Sequence, residues 1–316
     1  MWRYIVKRIL MLIPVVIGAS LLVFCVMNLS KGDVVSVITA GADMTNEQIE
    51  AVRERMGLNR PLLVRYGEYL LGMLRGDFGK SAISNEPVLD LFFRRFPATV
   101  KLAIASSIVN IVLSIPLGIF SARHQGSVAD NAAMVFALMG LSMPAFWLGL
   151  MLMVLFCVNL QWFPATGGGT DFKSIVLPAV TMGIGMMATT TRTTRSAMLD
   201  VLRQDYLRTA RAKGVPEKKV INIHALKNAM IPILTTVGTQ LAKAFGGGAV
   251  IEMVFAYPGV GKLLLDAINN RDTTLACGCI VLQTTITVVV LLIVDILYAF
   301  VDPRVKAQYA RGGKKK

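Results

Sequence analysis

Six apolar runs, five of them long enough to cross a membrane and the fourth shorter, constrain this chain more than any other feature. They fall at about residues 9–29, 99–121, 132–160, 175–190, 230–255 and 275–301. A helix of about 20 apolar residues spans the ~30 Å hydrocarbon core and satisfies its own backbone hydrogen bonds there. With 54% hydrophobic and 16% charged residues, the chain carries more apolar side chains than a soluble domain buries. The fold class read from this pattern is all-α, a polytopic membrane protein of six transmembrane helices. The first run follows Arg3, Lys7 and Arg8. It is long enough to span and no small-x-small cleavage site follows it, so it reads as an uncleaved helix rather than a signal peptide. The third run contains Pro144, which predicts a kink. The fourth is short and holds Pro178, Gly183 and Gly185, which predicts something less than a full straight span.

The charges orient the runs. Net charge is +14, and its clusters lie at the N-terminus, at Arg123-His124, at Arg192 and Arg195, between residues 203 and 227, and in the tail at Arg311 and Lys314 to Lys316. Basic short loops stay on the cytoplasmic side. Both termini are therefore expected in the cytoplasm. Residues 30–97 carry nine Lys/Arg and nine Asp/Glu, a neutral balance that suits the outer side. Topology and anionic lipid account for the excess positive charge, so no nucleic-acid partner is expected.

Two polar segments read as folded. In the outer excursion, Thr45 and Gln48 form a capping box with Met44 and Ile49 placed as a hydrophobic staple. Gly57 ends that helix, and Pro61 starts another with Leu62, Tyr66, Tyr69, Leu70 and Met73 on one face. On the basic side, Arg203, Arg208, Arg211, Lys213, Lys218, Lys219 and Lys227 cannot enter hydrocarbon without roughly 2.5–3.5 kcal/mol each. Residues 199–213 are rich in helix formers, with Leu199, Leu202, Tyr206 and Ala210 on one face. Gly214 sits where a left-handed residue ends a helix. Pro216 suits the start of a second helix carrying Val220, Ile223 and Leu226. A helix, a glycine break and a second helix predict a rigid knob for a soluble partner.

This segment resembles the cytoplasmic docking loop of ABC importer permeases, whose pattern is Glu-Ala-Ala, three residues, Gly, about nine residues, then Ile-x-Leu-Pro. Ala210, Gly214, His224, Leu226, Asn228 and Pro232 fall where that pattern places them, with Asp205, Tyr206 and Val220 in the same loop. The Glu-Ala-Ala itself is replaced by Arg208-Thr209-Ala210. The Arg-Thr-Ala-Arg-Ala-Lys-Gly form is similar to the dipeptide, oligopeptide and nickel branch. So are Gly57-Leu58, Pro61-Leu62, Tyr66 and Gly76-Asp77-Phe78-Gly79, and the loop 257–274 with its Pro258-Gly259-Val260-Gly261. That branch usually shows Pro-Gly-Asp-Pro after the first helix; here Lys31-Gly32-Asp33-Val34 stands instead. The resemblance implies the MetI-like permease fold and a division into three parts. Residues 1–96 hold the first helix and outer excursion, 97–303 a permease core with its docking loop at 199–229, and 304–316 a basic tail. It also implies a homologous second permease, two ABC ATPase subunits whose groove receives the docking helix, an extracytoplasmic solute-binding protein, and a place in the cytoplasmic (inner) membrane.

The remaining chemistry is sparse. No Gly-x-x-x-x-Gly-Lys-Ser/Thr is present, and Gly167-Gly168-Gly169 and Gly246-Gly247-Gly248 lack the Lys-Ser/Thr. No catalytic constellation can be assembled. The chain is expected to be a non-catalytic transport subunit without cofactor, its ATP hydrolysed by partners. Cys25, Cys157, Cys277 and Cys279 lie in apolar runs and form neither a disulfide framework nor a metal spacing. With His124 and His224 the only histidines, no metal site is expected. Met182, Met186 and Met187 read as core packing. Charges within the spans are Lys243, Glu252 and Asp295. Glu252 and Asp295, with Pro144 and Pro178, are the candidates for a pathway or gate. A mildly polar lining is expected from Ser106, Ser107, Ser114, Thr181, Thr189, Thr235, Thr236, Thr239, Thr284 and Thr285. The function implied is a permease half-pathway for di- and oligopeptides. The alternatives are a nickel or metal-chelate permease of the same branch and, from other classes, an ion-coupled secondary transporter or a membrane anchor without transport activity.

Overall fold

The computed structural model describes residues 2–29, 34–39, 44–165 and 171–301. Lys31-Gly32-Asp33, Gly167-Gly168-Gly169 and the tail from Asp302 lie outside the described residues. The described residues are helical, apart from turns and one isolated bridge between Lys80 and Pro87. The helices are α1 (Trp2–Leu29), α2 (Val34–Ile38), α3 (Asn46–Arg55), α4 (Leu62–Leu74), α5 (Val88–Arg123), α6 (Val128–Ser142) and α7 (Ala145–Met153). They continue as α8 (Phe172–Leu202), α9 (Asp205–Ala212), α10 (Glu217–Lys219), α11 (Leu226–Gly247), α12 (Ala249–Val254), α13 (Val260–Asn269) and α14 (Thr273–Val301). Short π-helical stretches, Val154–Asn159 and Val220–Ala225, extend α7 and join α10 to α11.

Five stretches are long and apolar enough to cross a membrane: Leu10–Leu29, α5, α8, Glu217–Gly246 and Thr273–Ile296. The third apolar run supplies the sixth, but as a broken pair. α6 and the α7 stretch meet at 98°, a full break where a kink was expected. Pro144 is not inside a helix; it precedes α7. Its ring drives Met143 into extended backbone (φ −82°, ψ 130°), which ends α6.

The fourth run also departs from expectation. α8 is one continuous helix of 31 residues through Pro178, and it is the centre of the bundle, with its most extensive packing against α5. Arg192 and Arg195 lie inside it rather than at its end. What lowered its apolarity is what lets it pack. Thr181, Thr190, Thr191 and Thr194 are buried, and a Cβ on Gly183 would sit 2.7 Å from Val109 Cγ1. Asn110 Nδ2 donates to Thr190 Oγ1 at 3.1 Å and Ser114 Oγ to Asn110 Oδ1 at 2.7 Å. Small and hydroxylated residues allow helix backbones to approach closely in a membrane.

The second span starts at Val88, well before Thr99, so the 96/97 division falls within α5. Val88 and Phe92 are fully buried against α13 and α14, which holds the first turns in register despite Pro97. Residues 257–274 are likewise not a loop: α13 fills them, with Val260 and Ala267 buried. The fifth apolar run breaks at Gly248, between α11 and α12. In the excursion the capping box is formed, with Thr45 Oγ1 accepting from Gln48 N and Gln48 Oε1 from Thr45 N. α4 follows Pro61 and seats Tyr66 against Phe24 of α1, ring centroids 5.3 Å apart.

Candidate functional site

The predicted knob is present, built differently from its sequence reading. No single helix covers 199–213. α8 ends at Leu202, the chain turns at Arg203-Gln204, and α9 begins at Asp205. The turn rotates the faces. Leu207 is fully buried, whereas Tyr206 is 43% exposed. Leu207 joins Val220, Ile221, Ala225 and Ala229 in an apolar cluster with Ala122 of α5 and Ala197 and Met198 of α8. The second helix likewise buries Val220, Ile221 and Ala225 and exposes Ile223. The knob therefore stands on the packed ends of α5, α8 and α11.

Gly214 ends α9 as expected. Its φ is +76°, a conformation that costs a side chain about 1–2 kcal/mol. Gly214 N donates to Arg211 O and Val215 N to Ala210 O, the paired bonds of a Schellman cap. Arg211 brackets the turn from outside, donating through Nε and Nη2 to Glu217 at 3.1 and 2.9 Å. That bond to Glu217 raises the Arg211 guanidinium pKa further above its usual value, so the clamp stays charged. Asn228 Nδ2 donates to Tyr206 Oη at 2.7 Å and to the His224 carbonyl at 3.1 Å. Tyr206, His224 and Asn228 are thus gathered on the exposed side. Asp205 and Pro232 are exposed, and Ala210 and Leu226 half-buried.

The pathway candidates are not brought together. Glu252 is fully buried. Its carboxylate accepts from Thr99 Oγ1 and Lys262 N, both at 2.8 Å, and from the Gly261 N–H. Thr99 Oγ1 in turn accepts from Val260 N at 2.8 Å, and Tyr257 Oη donates to the Ala98 carbonyl at 3.2 Å. A carboxylate at the first turn of α13 fits the unpaired N–H groups and positive dipole end found there. A Cβ on Gly259 would lie 2.2 Å from that carboxylate, which explains the glycine. Glu252 ties α5, α12 and α13 together from inside the protein. Asp295 is half-buried far along α14, Pro178 is buried in α8 and Pro144 exposed at the 98° break. The expected lining divides too. Ser106, Ser107, Ser114 and Thr181 are buried, while Thr235, Thr236, Thr239, Thr284 and Thr285 are half-buried on α11 and α14.

Two further clamps escaped the sequence reading. Asp130, 1% exposed, takes a two-pronged contact from Arg195 at 2.8 and 2.6 Å, a bond from Gly126 N at 3.0 Å and one from Ser121 Oγ. The Ser127-x-x-Asp130 spacing of a helix start was the available signal. Asp272 caps α14 through Leu275 N at 3.0 Å and holds Ser81 Oγ at 2.6 Å. Its partner lies too far away in sequence for any local signal.

Two family models match the chain. Residues 114–307 match the binding-protein-dependent transport system inner membrane component, and residues 1–103 the N-terminal membrane component of such systems. The chain is 40% identical over 317 residues to the oligopeptide transport system permease protein AppB of Bacillus subtilis, covering 97% of this chain and 100% of that protein. It is 38% identical over 333 residues to the dipeptide transport system permease protein DppB of Alkalihalophilus pseudofirmus, with coverages of 97% and 100%. To the glutathione transport system permease protein GsiC of Escherichia coli it is 39% identical over 306 residues, with coverages of 97% and 99%. Among solved structures, the inward-facing MetNI methionine ABC transporter shares the fold, with a TM-score of 0.57 and 18% identity over 68% of this chain and 97% of that one. This chain belongs to the family of inner membrane components of binding-protein-dependent transport systems.

Proposed function

We propose that the chain is the permease subunit of an ATP-driven importer and forms half of the pathway for di- and oligopeptides delivered by an extracytoplasmic binding protein. The observation that carries this reading is the exposed, rigid α9 knob, capped at Gly214 and seated on the ends of three spanning helices. Asp205, Tyr206, His224 and Asn228 present polar groups to an ATPase subunit, while Leu207 and Val220 transmit its movement into α5, α8 and α11. A second, homologous permease completes the pathway, and two ATPases complete the machine. The half-buried threonines of α11 and α14 offer hydroxyls that pass a hydrated peptide without retaining it. The basic side is cytoplasmic and so are both termini. Reconstituted vesicles holding both permeases, the ATPases and the binding protein test this reading. ATP-dependent uptake of labelled peptides is expected; accumulation of nickel without peptide would overturn the substrate class. On a background with Cys25, Cys157, Cys277 and Cys279 replaced, single cysteines at Ser36 and Asn85 should react with an impermeant thiol reagent from outside, and one at Lys218 should not.

A further inference from the structure

α4 has two apolar faces, and among the described residues only one is packed against the rest of the protein. Leu62, Tyr66, Tyr69 and Leu70 pack toward α1 and α14. Leu63, Gly67, Leu71 and Leu74 recur at i, i+4, i+8 and i+11, a single stripe on a helix. The three leucines of that stripe are 77%, 57% and 80% exposed. Tyr66 shows where this stripe lies. Its hydroxyl donates to the Ile17 carbonyl at 3.0 Å and sits 2.9 Å from Ser20 Oγ. Its ring packs on Phe24, about 7.5 Å from the Leu29 end of α1 at ~1.5 Å per residue and inside the candidate span Leu10–Leu29. Arg65 reaches the other way, donating to Asn28 Oδ1 at 2.8 Å near that end, as a snorkelling residue does. Above α4 is a 610 Å³ cavity with Phe24, Met56 and Leu58 on its wall and Arg55, Arg60 and Lys80 among its charged residues. Among the described residues its one acid is Glu68, bound to Arg60 at 2.8 Å.

We infer that α4 lies within the membrane interface on the excursion side, its leucine stripe among acyl chains, and that the cavity above it takes the phosphate headgroup of an anionic phospholipid. An apolar stripe at that depth is stable in hydrocarbon and costly in water. Arginine is suited to phosphate oxygens. This goes beyond the transport reading and does not depend on the substrate carried.

Photo-crosslinking amino acids at Leu71, Leu74 and, as a water-facing control, Glu47 of α3 test the first part in the full chain reconstituted in phosphatidylglycerol vesicles. Lipid adducts are expected from positions 71 and 74 and not from 47. Absence of adducts at 71 and 74, or adducts to added binding protein in their place, would overturn it. Native mass spectrometry of the purified chain tests the second part. Phosphatidylglycerol should be retained over phosphatidylcholine, and Arg60→Gln with Lys80→Gln should together reduce retention about 25-fold, each basic residue contributing about fivefold. Equal retention of the two lipids, or retention unchanged by the double substitution, would overturn the headgroup assignment. ATP-driven peptide uptake, measured separately, reports on the transport reading alone.

Discussion

The Glu252 clamp and the α9 knob stand at opposite ends of the bundle and treat their polar groups in opposite ways. Around Glu252 every donor and acceptor is spent internally, with Thr99, Gly261 and Lys262 converging on one carboxylate. Around α9 the apolar residues do the fixing, Leu207 and Val220 being fully buried, and the polar groups of Tyr206, His224 and Asn228 remain at the surface. A buried polar network is costly to break and so holds one arrangement. An exposed one adds little to stability and is free to exchange its bonds for those of a partner. The difference separates residues that keep the bundle in shape from residues that, in the function proposed above, meet another protein.

The contrast is broken most severely at Glu252. Glu252→Ala strands three buried donors at ~1–3 kcal/mol each, so we expect a loss of about 3 kcal/mol or more, seen as a lower thermal midpoint and yield in detergent. A stable, transport-deficient Glu252→Ala would instead make this carboxylate part of the pathway. Next comes Asp130→Ala. Breaking a buried pair by removing one partner costs ~3–5 kcal/mol; Arg195 retains 27% side-chain exposure, so about 3 kcal/mol is expected by the same measurement. Unchanged stability there would show that Arg195 finds solvent readily. Gly214→Val should cost only about 1–2 kcal/mol and leave insertion intact, yet abolish ATPase recruitment in a pull-down. Normal ATP-driven uptake by that variant would remove α9 from the docking role. The smallest effect on folding is expected from Tyr206→Phe, below about 0.5 kcal/mol, since Asn228 keeps its bond to the His224 carbonyl. Its effect should appear only in weaker ATPase affinity. A destabilised Tyr206→Phe would erase the distinction between the two ends.

What was legible in the sequence is what depends on near neighbours. Thr45 with Gln48, Gly57 and Gly214 each close a bond within a few residues, and all three appear where their local chemistry puts them. The phase of α9 was misread because the turn at Arg203-Gln204 has neither glycine nor proline to announce it. A continuous helix would have turned Tyr206 inward where Leu207 now sits. α8 was underrated because its threonines lower apolarity while serving close packing, a distinction composition cannot make. The role of Glu252 depended on Thr99, 153 residues away, and a charge in a span with a distant partner looks like a charge facing a pathway.

The π-helical stretch Val220–Ala225 sets a rule about length. Such a turn holds one residue more than the α-helix it interrupts, and each residue advances a helix by ~100°. Everything from Leu226 onward is thereby rotated by that angle relative to the knob. Many substitutions within 220–225 could leave this phase intact, but a one-residue deletion would restore plain helix and swing the buried line of Ala229 and Ile233 away from the cluster it shares with Leu207. In this short stretch the count of residues matters more than their identity, and inherited variation there should change letters while preserving number.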